Sequence, residues 1–219
     1  MLLIEQASTM LTLQTSMNVK VDPNWVQARY PYLRAVVIEG AEAIEHHGWK
    51  WWKKQEKDLP QLQMELIDIW HFILSEILLR NQADHAKSLK ALTELLDSSN
   101  TQSSIKFDEQ KFIINELNLI AKFELLIALS VSRRIELALF ASIMTDCEMS
   151  WTELYCQYVG KNVLNMFRQD KGYKEGTYQK IWNGREDNEY LVEIIDSLDS
   201  SQLEFNDAVY AALESAYPA

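Results

Sequence analysis

Proline and glycine are scarce in this chain of 219 residues, four and six respectively, and positions 61 to 217 hold no proline at all. Both residues punctuate turns, so their scarcity excludes a turn-rich β fold and suits a succession of helices. Cysteine is scarcer still. Cys147 and Cys156 are the only two, too few for a disulfide framework, which makes a reducing cytoplasm the expected compartment. No apolar run approaches the roughly 20 residues of a membrane span. Met1-Leu2-Leu3-Ile4 runs straight into Glu5, so no signal peptide is expected either. Positive charge is in deficit, with 21 Lys and Arg against 32 Asp and Glu, a net charge of −11. That balance argues against general binding to nucleic acid or an anionic membrane, and any polyanionic substrate would need a local positive site. Gly-rich phosphate loops, nucleophile elbows and Cys/His zinc spacings are also missing.

What is present is helical periodicity on a chain that is 47% hydrophobic, enough to bury one core, so a single all-α domain over 1–219 is expected. The pattern predicts a first helix over 5–18 and a second from Pro31 to Gly48. A third is predicted from an N-cap at Asp58, with Pro60 in its first turn, to Arg80. "DHAKSLKALTELLD" reads as a further amphipathic helix, closed by the polar run "SSNTQSS". Two apolar scaffold helices are expected near 108–128 and 131–147. "SWTE" at 150–153 is a capping-box pattern opening a helix to Asp170, followed by a loop and two helices near 188–198 and 202–216.

The chemistry concentrates in two stretches. "VIEGAEAIEHHGWKWWKK" places Glu39 and Glu42 three apart on one helix, and "ELIDIWHFIL" repeats the spacing with Glu65 and Asp68 on the next. The connection is short, so the two helices over 31–80 are expected as antiparallel neighbours carrying four carboxylates toward each other. Glu65 and Asp68 lie in a segment apolar nearly all round, where an acid needs a cation or a proton. Oxygen ligands alone favour a hard ion, Mg²⁺ or Mn²⁺. Asp68-x-x-His71 occurs once, whereas a di-iron bundle needs two such pairs. His71 is therefore placed in the lining of a pocket, with a satisfied core histidine as the alternative, and Glu45, without a counterpart, on the helix surface or behind the ligands. At least one of Trp49, Trp51 and Trp52 is expected as a core anchor.

The second stretch, 161–185, holds six basic residues and two acids, +4 net against −15 for the rest of the chain, and Lys161, Asn165 and Arg168 share a helix face. Two cations and an amide on one face, followed by a loop with glycine and tyrosine, suit a phosphate chain held opposite a metal cluster. Gln14 and Asn18, one turn apart on the first helix, have the donors and acceptors to read a base edge, although surface amides share that spacing.

With these residues in place, the chain resembles the dimeric all-α dUTPase family, relatives of the MazG-type nucleoside triphosphate pyrophosphatases. The resemblance rests on "MLTLQTSMN", "IEGAEAIEHHGWKWWK", "ELIDIWHFILS" and "GKNVLNMFRQDKGYKEGTYQKIWNGREDNEYL", about a third of the chain. It implies a homodimeric, Mg²⁺-dependent hydrolase converting dUTP, and also dUDP, to dUMP. By motif, Glu39, Glu42, Glu65 and Asp68 would hold two or three Mg²⁺, with Glu42 orienting or deprotonating the attacking water. Lys161, Arg168, Tyr173 and Lys174 would bind the phosphates. Gln14, Asn18, His71, Phe72 and Asn165 would line the deoxyuridine pocket, with Trp49 nearby and Asn188 on the nucleotide or the loop. Cytosine and thymine would be excluded by hydrogen bonds to the uracil edge and a close wall at C5. A broader MazG-like pyrophosphatase and a non-catalytic helical interaction protein are the competing readings.

Overall fold

The computed structural model describes residues 2–199 and 205–218. Among these, the chain is helical almost throughout: α1 (Ile4–Val21), α2 (Trp25–Ala28), α3 (Tyr32–His47), α4 (Leu59–Arg80), α5 (His85–Ser99), α6 (Leu119–Val131), α7 (Leu137–Asp146), α8 (Trp151–Asp170), α9 (Asp187–Ser197) and α10 (Phe205–Ala216). The all-α expectation holds. No helix among the described residues is long and apolar enough to cross a membrane.

The helix ends follow the local chemistry. Asp58 caps α4 by accepting from the Gln61 N–H at 3.2 Å, with Pro60 in the first turn where its missing donor costs nothing. Ser150 and Glu153 close a reciprocal box on α8, with Ser150 N–H to Glu153 Oε2 at 2.7 Å and Glu153 N–H to Ser150 Oγ at 3.2 Å. Gly48 ends α3 at φ 84°, and a Cβ there would sit 2.8 Å from the Cβ of Gln55, so the turn that follows His46 and His47 takes only glycine.

Two boundaries differ from expectation. The helix predicted to start near 108 begins at Leu119, where Asn118 accepts from the Ala121 N–H at 2.9 Å. The preceding residues form an antiparallel hairpin of β1 (Ser104–Phe107) and β2 (Gln110–Ile113) and a 3-10 turn at Ile114–Glu116. Asp108 and Glu109 both adopt left-handed φ, 46° and 61°, the two-residue turn whose twist matches paired strands. The helix predicted over 131–147 begins at Leu137, because Arg133 turns left-handed at φ 63° and breaks the run. A second hairpin, β3 (Ile181–Trp182) and β4 (Arg185–Glu186), lies in the expected loop, turning at Asn183–Gly184. Residues 202–204 of the last predicted helix lie outside the described residues.

Helix α4 runs through the core, buried on almost every face, and α3 packs along it. The buried stripe of α3 is Leu33, Val36, Gly40 and Ala43. Gly40, between the two acids in sequence, lets α6 approach, since a Cβ would meet Ile127 at 3.0 Å. Helix α1 packs on α4, α5 and α8, and α8 carries α9 and α10 on its outer side. The core tryptophans are Trp25, Trp70 and Trp182, with Trp70 stacked on Phe140 at 5.3 Å and 15°. None of Trp49, Trp51 and Trp52 joins that core: Trp49 is half-buried, and Trp51 and Trp52 are 86% and 60% exposed. Their segment is a short loop between α3 and α4, and the three indoles pack edge-on with one another instead.

Candidate active site

The pairing of α3 with α4 brings three of the expected acids to one point. Carboxylate oxygens of Glu39, Glu42 and Glu65 lie within 4.8 Å of one another. The register is antiparallel, since His46 Nε2 stands 3.4 Å from Glu65 Oε1 while Glu39, a turn or two earlier, feels the charge of Asp68. Glu42 is exposed, Glu39 half-buried and Glu65 buried. Burial and then repulsion from Asp68, Glu65 and Glu42 push the Glu39 carboxyl up to about 8. Burial, Asp68 and Glu42 push Glu65 up to about 7. Burial also raises Asp68, although the ammonium of Lys161 opposes the shift from 3.5 Å. Three converging acids with Asp68 close by repel one another, and oxygen-only donors at this spacing suit a hard divalent cation.

Glu45, the third acid of the row, faces away. It accepts from Trp49 Nε1 at 2.7 Å and from Lys50 Nζ at 2.8 Å on the surface.

Beside the acids lies a cavity of about 350 Å³ lined from α1, α4 and α8, and its walls include Gln14, Asn18, Asp68, His71, Phe72 and Asn165. Its polar wall is a defined network. Gln14 Nε2 donates to Asn18 Oδ1 at 3.0 Å and to Ser75 Oγ at 2.9 Å. Gln14 Oε1 is therefore the acceptor, and it takes the Tyr158 hydroxyl at 2.9 Å and meets His71 Nδ1 at 2.8 Å. The hydrogen of that last contact must sit on Nδ1, because an amide oxygen has none to give. Burial, with Lys161 nearby, holds the imidazole neutral by lowering its pKa to about 3. His71 Nε2 is thus a bare acceptor. It is buried without a partner among the described residues, as is Asn18 Nδ2, a bare donor. Buried polar groups are rarely left in this state unless something else satisfies them.

The basic residues divide. Lys161, 8% exposed, points its Nζ at Asp68 and Met64 Sδ, 3.5 and 3.3 Å away. Arg168 forms a two-pronged pair with Asp187 at 2.8 Å on each arm, and its remaining contacts are Asn165 Oδ1 at 3.1 Å and Asn188 Oδ1 at 3.3 Å. Tyr173 and Lys174 are exposed on the turn after α8, between Gly172 and Gly176 at φ 89° and 74°. Two expected nucleoside contacts stand outside the first cavity. Trp49 is held by Glu45, and Asn188 lines a second cavity of about 280 Å³ with Lys161, between α4, α8 and α9. Ser75, Tyr158, Tyr178 and Asp187 escaped the sequence reading. Their partners lie 9 to 148 positions away, and no short spacing announces them.

A family model described as dUTPase matches residues 6–173, a span that takes in the acid cluster, the cavity and Arg168. No curated protein matches the chain.

Proposed function

Because this chain belongs to the all-α dUTPase family and is a dUTP diphosphatase, we propose that its acid cluster holds Mg²⁺, that its cavity reads uracil, and that it also accepts dUDP. The observation that carries the reading is a pair of buried, unpartnered atoms, His71 Nε2 and Asn18 Nδ2, on two residues that line the cavity. An acceptor and a donor on two residues of one cavity have the chemistry to meet the N3–H of uracil and one of its carbonyl oxygens. Cytosine presents a lone pair at N3, which would face the lone pair of His71 and leave both buried groups unsatisfied. Phe72, from the same turn of α4, supplies an apolar wall for the ring.

Glu39, Glu42, Glu65 and Asp68 are the groups we assign to two or three Mg²⁺, with Mn²⁺ as a substitute. When bound, the metal supplies charge neutralisation along the phosphate chain and acidifies water. Glu42, the exposed member, takes the proton of the attacking water. Water oxygen bonds to the α-phosphorus, the bond to the bridging oxygen of the β-phosphate breaks, and dUMP and pyrophosphate leave; dUDP releases phosphate instead. Lys161 and Arg168 meet the phosphates from α8, and Tyr173 and Lys174 close over them on the glycine-flanked turn. We further assign the protein to a homodimer in a reducing cytoplasm, and to removal of dUTP from the nucleotide pool with supply of dUMP.

The test is product release from dUTP and dUDP with Mg²⁺, with Mn²⁺ and with a chelator. Both substrates should turn over with either ion and neither with the chelator. Undiminished turnover in chelator would exclude the metal assignment.

A further inference from the structure

Arg168 has five N–H donors, and the protein uses four of them. Nε and one hydrogen of Nη2 go to the two oxygens of Asp187, the other Nη2 hydrogen to Asn188 Oδ1, and one Nη1 hydrogen to Asn165 Oδ1. One hydrogen of Nη1 is left without a protein partner among the described residues. It shares its nitrogen with the contact to Asn165, which lines the nucleotide cavity, and Arg168 is close enough to Asp68 to favour its ionised form. Of the two guanidinium edges that could grip a phosphate with two bonds, the Nε–Nη2 edge is given to Asp187, and the Nη2 hydrogen of the Nη1–Nη2 edge goes to Asn188.

Asp187 is itself fixed from three sides. It is the first residue of α9, fully buried, and its Oδ2 accepts the Tyr178 hydroxyl at 2.7 Å besides Arg168. Tyr178 stacks on Tyr217 at 5.5 Å and 14°. Helix α9 lies tight on α8 because position 160 is glycine: a Cβ there would come within 2.2 Å of Ile195. Tyr178 and Asp187 both lie beyond the residues 6–173 matched by the family model.

From this arrangement we propose that Asp187, braced by Tyr178, is a positioning residue for the reaction: it locks Arg168 so that a single Nη1–H is aimed at the phosphate chain of the substrate. The proposal rests on the assignment of Arg168 to phosphate made above. A free arginine side chain loses several rotatable bonds on binding an anion, and a two-pronged carboxylate removes that cost in advance. Because the Asp187 charge offsets that of Arg168, what reaches the phosphate is a directed donor rather than a net cation.

The test measures binding of the α,β-imido analogue of dUTP in the presence of Mg²⁺, and of deoxyuridine, which has no phosphate. Both ligands are titrated against wild type, Asp187→Asn, Tyr178→Phe, Arg168→Ala and the double variant Asp187→Asn/Arg168→Ala. The analogue should bind Asp187→Asn about tenfold more weakly, and Tyr178→Phe more weakly by a smaller factor, with deoxyuridine affinity unchanged in both. In the Arg168→Ala background, Asp187→Asn should add no further loss. Equal losses for the two ligands, additive losses in the double variant, or unchanged or tighter analogue binding by Asp187→Asn would overturn the positioning role while leaving Arg168 as a phosphate ligand. Wild-type analogue affinity in Arg168→Ala would instead remove the phosphate assignment, and the positioning role with it.

Discussion

Gln14 Oε1 stands 2.8 Å from His71 Nδ1, and this contact between residues 57 positions apart decides which face of the imidazole meets a ligand. With Nδ1 carrying the hydrogen, Nε2 can only accept, and an accepting wall selects a base with an N–H in the middle of its edge. His71→Ala should therefore lower kcat/KM for dUTP by about 10–100-fold and narrow the preference for dUTP over dCTP. Steady-state kinetics on the two nucleotides checks this, with a melting curve to confirm that the variant is folded. Equal losses on both would mean that His71 supports the fold without reading the base.

Glu42 and Glu45 are neighbours on α3 with opposite expected fates. Glu42→Ala should reduce turnover by about 10²–10⁴-fold with little change in melting temperature, since the residue is exposed and belongs to the acid cluster. Glu45→Ala removes surface contacts to Trp49 and Lys50 and should leave kcat within about twofold of wild type. A non-catalytic protein would show no dependence on either.

The acid cluster should make metal-free protein pH-sensitive. Glu39 and Glu65 titrate near 8 and 7 in the folded state, above the usual carboxylate range of about 4.3 in an unfolded chain. The folded state therefore binds more protons between these limits, and stability falls as pH rises from about 5 to about 8. Metal must displace those protons and relieve the repulsion, so Mg²⁺ should raise the melting temperature more at pH 8 than at pH 6. Glu39→Gln should raise the metal-free melting temperature at pH 8 and shrink the Mg²⁺ response. Scanning fluorimetry with chelator and with Mg²⁺ checks both signs; a metal-free protein that gains stability over this interval would contradict the cluster's role.

Gly160→Ala should destabilise by roughly 1–3 kcal/mol, because the added methyl would sit 2.2 Å from Ile195 Cδ1 and 2.9 Å from its Cγ1, so the Ile195 side chain that packs α9 on α8 must shift. As α9 carries Asp187, KM for dUTP should rise as well. Chemical denaturation and a KM measurement test the two effects together.

Much of this arrangement is legible in the sequence because it is local. Asp58 and the Ser150–Glu153 box announce helix starts, and the i, i+3 acids of α3 and α4 share faces whatever the rest of the chain does. The 104–113 hairpin was hidden because its turn uses Asp108 and Glu109, residues that pass for a helical first turn. The 181–186 hairpin has a readable signal in Asn183–Gly184, but its strands of two residues each are too short to show alternation. The tryptophans after Gly48 misled because hydrophobicity alone predicts burial, whereas a short loop between two packed helices has no core to enter. The braces of the site, Ser75 and Tyr158 on Gln14 and Tyr178 and Asp187 on Arg168, arise from tertiary packing that no spacing along the chain encodes.

The central claim is that a uracil-reading cavity stands beside a metal-held phosphate site. Its most direct test is kcat/KM of the wild-type protein for dUTP, dCTP and dTTP, measured side by side by pyrophosphate release with Mg²⁺. A preference for dUTP of about 100-fold or more over each of the others is the predicted result. Turnover of dCTP or dTTP as efficient as that of dUTP would contradict it, and would make this chain a broad nucleotide pyrophosphatase.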